Sequence, residues 1–415
     1  MDSVSNKEDF INSSMLYLDE LKSASNFDEM LELWRKTSIP YSMGNLDPYS
    51  PDYASRVMDI YKGLTNSEYH PNNELTSTKQ SEQDFEIGFP WISGNLRIVA
   101  EELAKPVQIL QALHQSGKSG ARIIEFGCGW GNLALPLARA RQDVTVVDID
   151  EGFLNRVRRK AEKENLTIST HCGEFIDVAD SITSKFDVVI FQSSFHHCID
   201  FMKLLSSIRE NVLVSDGIII FASEPISNDI KFPWGLRYDG ESLWAIMCNK
   251  WLELGFNHDF FAEMLFTRGF FFERVPAIEG YVGEAWKANR FDLLFDFGKW
   301  ELPSSYDATF YPGNAGETGR FCKGRSLLPG LRNVVGQAYE LCFVNYGTQR
   351  LPIRMDGETS ESLVIQPGRT ESVKIRIGNE AVSIRSATFI PDEQCGNGDT
   401  RELGVNLKSV RVLSA

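Results

Sequence analysis

The stretch Ile123-Ile124-Glu125-Phe126-Gly127-Cys128-Gly129-Trp130-Gly131-Asn132 decides the fold. An apolar run enters a turn with three glycines, and the pattern Leu133, Leu135, Leu137, Ala138 opens a helix behind it. A short apolar run bounded by glycines reads as a strand buried on both faces. Glycine in the turn lets the backbone take angles barred to other residues and approach a ligand closely. Working outward, Val144–Val147 is predicted as a second strand closing at Asp148, Glu151–Asn165 as a helix, and Ile168–His171 as a strand. Asp187–Phe191 follows as a strand, Phe201–Leu213 as a helix and Gly217–Ala222 as another apolar strand. Such strands, alternating with helices and joined by right-handed crossovers, make a doubly wound, mostly parallel α/β sheet.

The flanks read differently. Residues 1–80 are predicted as a helical region or lid, with amphipathic stretches at Leu16, Leu18, Leu21 and at Met30, Leu31, Leu33, Trp34. A helix is expected over Asn95–Ala104 and a new one from Pro106, since proline suits a first helical position. Residues 225–335 are rich in aromatics, with a strand near Phe270–Val275. The runs Tyr339–Val344, Leu351–Met355, Ser362–Ile365, Ser372–Ile377, Ala381–Phe389 and Asn406–Leu413, separated by turn formers, predict an all-β sandwich. The plan is therefore a helical region over 1–80, the α/β domain over 81–300, a connecting segment over 301–335 and the β-sandwich over 336–415.

Composition narrows the function. A chain of 415 residues with 42% hydrophobic and 24% charged residues can bury real cores. Its net charge of −15 opposes phosphate backbones, so nucleic acid is not an expected partner. Seven cysteines, none spaced as CxxC, give no zinc pattern and no disulfide framework, and no metal ligands are picked out. The N-terminus lacks a basic segment followed by an apolar run, and no stretch reaches the ~20 apolar residues of a membrane span. The expected setting is cytoplasmic, in solution or at the inner face of a membrane, with self-association left open.

In the glycine turn a dinucleotide fingerprint would be GxGxxG, and here the third glycine comes one residue early. The spacing resembles instead the E/D-x-G-x-G-x-G motif of class I S-adenosylmethionine-dependent methyltransferases. That resemblance implies a Rossmann-like core with S-adenosyl-L-methionine as cofactor. Gly127, Gly129 and Gly131 would then form its turn, Glu125 would precede it, and Asp148 would bind the ribose, with Ile149 beside it. Glu174 and Phe175 would flank the adenine, and Gln192, closing the fourth strand, would face the methyl donor.

Beyond the cofactor, Ser193-Ser194-Phe195-His196-His197 follows the fourth strand, at the sheet edge where ligands bind. Methyl transfer to a hydroxyl needs alignment and a base, and histidine suits that role. His197 and His196 are the candidate bases, or else simply open a helix. Glu224, after the fifth strand, could orient a histidine, bind a substrate hydroxyl, ligate a divalent metal or simply cap a turn before Pro225. Trp234, Arg237, Asp239 and Glu241 mix aromatic and charged groups as sugar recognition does, or pack as a lid with an ion pair. Phe85–Trp91 could contribute to the cofactor lid, and Arg401–Val410 resembles the closing strand of β-domains on bacterial surface-glycan enzymes. Together these point to a sugar O-methyltransferase acting on a glycan or glycan precursor in polysaccharide biosynthesis. A secondary-metabolite methyltransferase and a non-catalytic protein that binds the cofactor or a glycan are the alternatives.

Overall fold

The computed structural model of the chain describes residues 43–77, 96–276, 284–290, 294–312, 318–330, 338–378 and 380–413, together with Glu29 and Glu32. The N-terminal apolar stretches and the Phe85–Trp91 string lie outside the described residues.

Five strands follow one another in parallel: β1 (Arg122–Phe126), β2 (Asp143–Asp148), β3 (Ile168–Cys172), β4 (Phe186–Gln192) and β5 (Leu213–Ala222). Strands β6 (Trp234–Leu236) and β7 (Leu254–Phe256) form a small separate hairpin. Strands β8 (Phe270–Arg274) and β9 (Ala285–Arg290) complete the main sheet, whose order is β3-β2-β1-β4-β5-β9-β8. Strand β9 runs antiparallel to β5, and β8 antiparallel to β9. The sheet is thus doubly wound and mostly parallel, as the alternation of apolar runs and helices implied. The predicted strand near Phe270–Val275 is a member of this sheet.

Residue alternation along each strand splits the core in two. Ile123, Val144, Val146, Val188, Ile190, Ile218 and Ile220 face one side. The opposite side takes Ile124, Phe126, Val147, Val189, Phe191, Ile219 and Phe221. Helix α1 (Pro51–Thr65) is started by the Ser50 side chain, which accepts from Tyr53 N, and by Pro51 at the first position; Asn66 ends it in a left-handed conformation. Tyr53, Val57, Ile60, Tyr61 and Leu64 bury its inner face in the second core. Helix α2 runs unbroken over Leu96–Gln115 and contains Pro106. The expected restart at Pro106 does not occur; the first core, which holds Ile109, Ala112 and Leu113, sits on the C-terminal half of one continuous helix.

The second fold unit is a sandwich. Strands β10 (Leu294–Asp296), β11 (Arg320–Phe321), β13 (Ala338–Val344), β16 (Thr370–Arg376) and β18 (Asn406–Leu413) build one sheet around β18. Strands β12 (Arg325–Leu328), β14 (Leu351–Asp356), β15 (Ser360–Ile365) and β17 (Val382–Ser386) build the other. All six strands expected between 339 and 413 are present. Strands β10, β11 and β12, which precede residue 336, also pair within these two sheets, with β18 and β17. Two- to four-residue strands carry too little pattern to be read from sequence.

The two units share apolar packing. Phe266 and Phe271 of the α/β unit lie in one cluster with Trp300, Tyr339, Leu341 and Val410. Phe266 stacks on Trp300 at 5.3 Å, and Phe271 meets the same ring edge-on at 4.6 Å.

Candidate active site

A cavity of about 490 Å³ opens at the carboxyl ends of β1, β2 and β4, where the strand order reverses between β1 and β4. Gly127, Gly129 and Trp130 line it from the turn, Asp148 and Ile149 from the end of β2, and Glu174 and Phe175 from beyond β3. A Cβ on Gly129, at φ +46°, would have no atom within 4 Å, so its backbone faces open space. A Cβ on Gly127 would come within 2.5 Å of Ser194 Cβ, so this glycine lets the β1 and β4 turns touch. Gly131 does something else: its missing Cβ makes room for Val157 Cγ2, 2.9 Å from where a Cβ would stand, in helix α4 (Glu151–Lys163), and it is absent from the cavity wall.

Asp148 is nearly buried and fully engaged. Its Oδ2 accepts from Gly129 N at 2.9 Å and its Oδ1 from Asp150 N at 2.9 Å. Burial pushes its pKa up to about 6 despite those donors. Glu125 sits beneath the turn, off the cavity wall, with Oε2 unpartnered among the described residues. Burial, and next the charge of Asp148, push its pKa up to about 8. Gln192 also lies off the wall, with a buried Oε1 that has no hydrogen-bond partner among the described residues.

The opposite wall holds the histidines. Ser193 ends β4 at φ +50° and Ser223 ends β5 at φ +55°, so both chains turn sharply at the sheet edge. Glu224 then reaches across: Oε1 accepts from Ser194 N and Phe195 N at 2.8 and 2.9 Å, and Oε2 from His196 N at 3.3 Å. The same Oε2 pairs with His196 Nδ1 at 2.7 Å. Glu224 therefore both caps the turn and orients the histidine. For His196, burial acts to lower the pKa, but the charges and hydrogen bonds of Glu224 and Glu253 outweigh it and hold it at about 9. His196 is buried behind the wall, whereas His197 lines the cavity. Burial, and then the neighbouring charge of His196, push the pKa of His197 down to about 4.

Several wall residues carry no sequence signal. Tyr69, Pro71, Glu74 and Thr76 come from a segment whose short turn of helix spans Pro71–Glu74. Thr76 N, Ser77 N and Ser77 Oγ all donate to Asp150, at 2.9, 2.7 and 2.5 Å, and so tie this strap to the start of α4. Glu74 Oε1 accepts from Leu252 N at 2.9 Å, and its Oε2 stands 3.4 Å from His197 Nδ1. Burial pushes the Glu74 pKa up to about 8. Trp251 completes this side, and its indole nitrogen is buried without a partner among the described residues.

The residues expected to bind a sugar are elsewhere. Trp234 is a core residue: its ring packs 5.1 Å from Tyr53, its Nε1 donates to Pro48 O, and Tyr53 Oη donates to its carbonyl. Asp239 caps helix α7 (Gly240–Asn249) through Ser242 N and accepts from Arg237 Nε at 2.8 Å. Glu241 is an exposed residue in the first turn of that helix. None of the four lines the cavity.

A methyltransferase-domain family matches residues 123–217, which run from β1 into β5 and include the glycine turn, so this part of the chain is a methyltransferase domain of the class I, S-adenosylmethionine-dependent type. A ubiquinone biosynthesis O-methyltransferase of Actinobacillus pleuropneumoniae is 28% identical over 130 residues, covering 29% of this chain and 55% of its own length. One from Coxiella burnetii is 26% identical over 121 residues, covering 29% and 50%. The chain thus spans about half the length of these curated relatives. Among solved structures, the magnesium protoporphyrin IX methyltransferase of Synechocystis with bound S-adenosylmethionine aligns at a TM-score of 0.39 and 17% identity, over 55% of this chain and 100% of that one.

Proposed function

We propose that this chain transfers a methyl group from S-adenosylmethionine to a hydroxyl oxygen of a small acceptor. The observation that carries the reading is that the glycine turn, Asp148 and His197 line one cavity. The cofactor supplies an activated methyl group. Asp148 would hold the ribose hydroxyls, Ile149 and Phe175 would flank the adenine, and the Gly127 and Gly129 backbone would let the ligand come close. Trp130, Phe153 and Trp251 give the cavity aromatic walls suited to a planar or ring-shaped acceptor. His197 and Glu74 stand where the hydroxyl proton must leave. The O-methyltransferase names of the relatives favour an oxygen acceptor. A glycan acceptor loses the four residues on which it rested and keeps only the support of the appended β-sandwich.

Purified protein with labelled methyl donor should methylate members of a panel of small phenols and alcohols, with S-adenosylhomocysteine released in equal amount. Transfer confined to nucleotide sugars or lipid-linked glycans would restore the glycan reading. Failure to bind the donor in calorimetry would overturn the proposal as a whole.

A further inference from the structure

Under the acceptor wall, ligand atoms of His196, His197 and Glu253 all lie within 4.8 Å of one another. His196 Nε2 and Glu253 Oε2 are 3.5 Å apart. Two donors about 2.1 Å from a zinc ion at the tetrahedral angle stand roughly 3.4 Å from each other, so this pair already has the spacing of one edge of such a site. His196 and Glu253 are buried, so packing fixes them. The far side of the His196 ring is locked by Glu224 on Nδ1, which leaves Nε2 as its donor atom. A carboxylate behind a ligating histidine is the usual outer support of a metal site. Arg237 Nη1, 3.8 Å from Glu253 Oε2, steadies the third ligand in the same way. Finally, His197 Nδ1 is buried and makes no hydrogen bond among the described residues, with Glu74 Oε2 standing 3.4 Å away.

We propose that His196, His197 and Glu253 bind one divalent transition-metal ion, zinc by its donor set, at the acceptor end of the cavity. Two imidazoles and one carboxylate select such an ion over magnesium or calcium, which take all-oxygen sites. Three protein ligands leave a position open, and His197 places it on the cavity side. The role of the ion rests on the methyltransferase reading: it would hold the acceptor hydroxyl, with Glu74 beside it to receive the proton. Its binding does not rest on that reading.

Full-length protein stripped with chelator and titrated with zinc chloride alone should take up one ion per chain. His196→Ala and Glu253→Gln each remove a direct ligand and should weaken that binding by more than the roughly 10- to 100-fold that loss of an outer supporting group costs. Donor calorimetry on the same samples reports separately on the cofactor site, so either reading can fail alone. Should the variants not fold, cobalt(II) added to the unaltered protein should give the visible d–d bands of a low-symmetry site with nitrogen ligands. No stoichiometric zinc uptake, zinc affinity unchanged in both folded variants, or a cobalt spectrum of the hexaaquo ion would each overturn the proposal.

Discussion

Gly129 and Gly131 share a turn yet answer to different constraints, and substitution should separate them. Gly129→Asp sets a charged side chain in open cavity, so the variant should fold while binding S-adenosylmethionine at least about tenfold more weakly, a loss of ~1.4 kcal/mol by calorimetry. Gly131→Ala forces a methyl against Val157 at φ +73°, so it should lower thermal stability by about 1–3 kcal/mol. Asp148 gives a pH-dependent counterpart. Its folded pKa, near 6, lies above the ordinary 3.8, so the ligand-free protein loses stability as pH rises from about 4 through 6. Asp148→Asn should flatten that part of the melting-temperature profile while weakening cofactor binding; an unchanged profile would refute the assignment. His197→Ala should cut turnover by roughly 10²- to 10⁴-fold with donor affinity preserved. At this scale the turn, Asp148 and the histidine pair were legible because each follows directly on a strand end. Glu74, Trp251 and Glu253 were not, because they reach the cavity from distant loops with no local pattern.

At the scale of elements, one carboxylate gathers three of the hydrogen bonds that hold the strap over residues 69–77. Asp150 caps α4 through Gly152 N and receives three donors from Thr76 and Ser77. Burial acts to raise its pKa, but these hydrogen bonds together outweigh it and hold the carboxyl below the ordinary value. Its stabilising effect is therefore present above the ordinary carboxylate pKa and is lost as pH falls through the folded one. Asp150→Ala should cost about 1 kcal/mol for the cap alone. It should also speed amide exchange across residues 71–77 and accelerate donor release, while strand amides in β1 and β4 stay protected. Strands β1 to β5 were readable because each is a continuous apolar run. The strap was not, since its hold comes from contacts with Asp150 and Leu252, more than seventy residues away in sequence. Continuous α2 defeated its proline signal because tertiary packing outweighs a local preference.

For the whole molecule, the sandwich and the α/β unit are expected to unfold together. Phe266→Ala would open a hole where Trp300 and Tyr339 pack, costing about 3–5 kcal/mol in denaturant unfolding while leaving a single transition. Ending the chain at Val335 would strip β13 to β18 and leave β10, β11 and β12 without partners, so that product should aggregate rather than methylate short acceptors. Two separate transitions in the intact protein would contradict this coupling. The existence of the sandwich could be read from its six β-type runs separated by turn formers; its dependence on the α/β unit could not, because it lies in the alternation of one strand. In β8, Phe270 and Phe272 point into the methyltransferase core and Phe271 into the sandwich core. A strand divided in this way imposes an order on synthesis. The ribosome delivers the seven-stranded sheet complete by residue 290, with Phe271 on its outer face and Phe266 beside it still uncovered. Trp300 can meet those rings early, but the cluster around them is not closed until residues 406–413 leave the exit tunnel and β18 slots between β10 and β13. At about 5–20 residues per second, that leaves roughly 6–25 seconds in which a nascent catalytic unit carries a sticky patch that chaperones can bind.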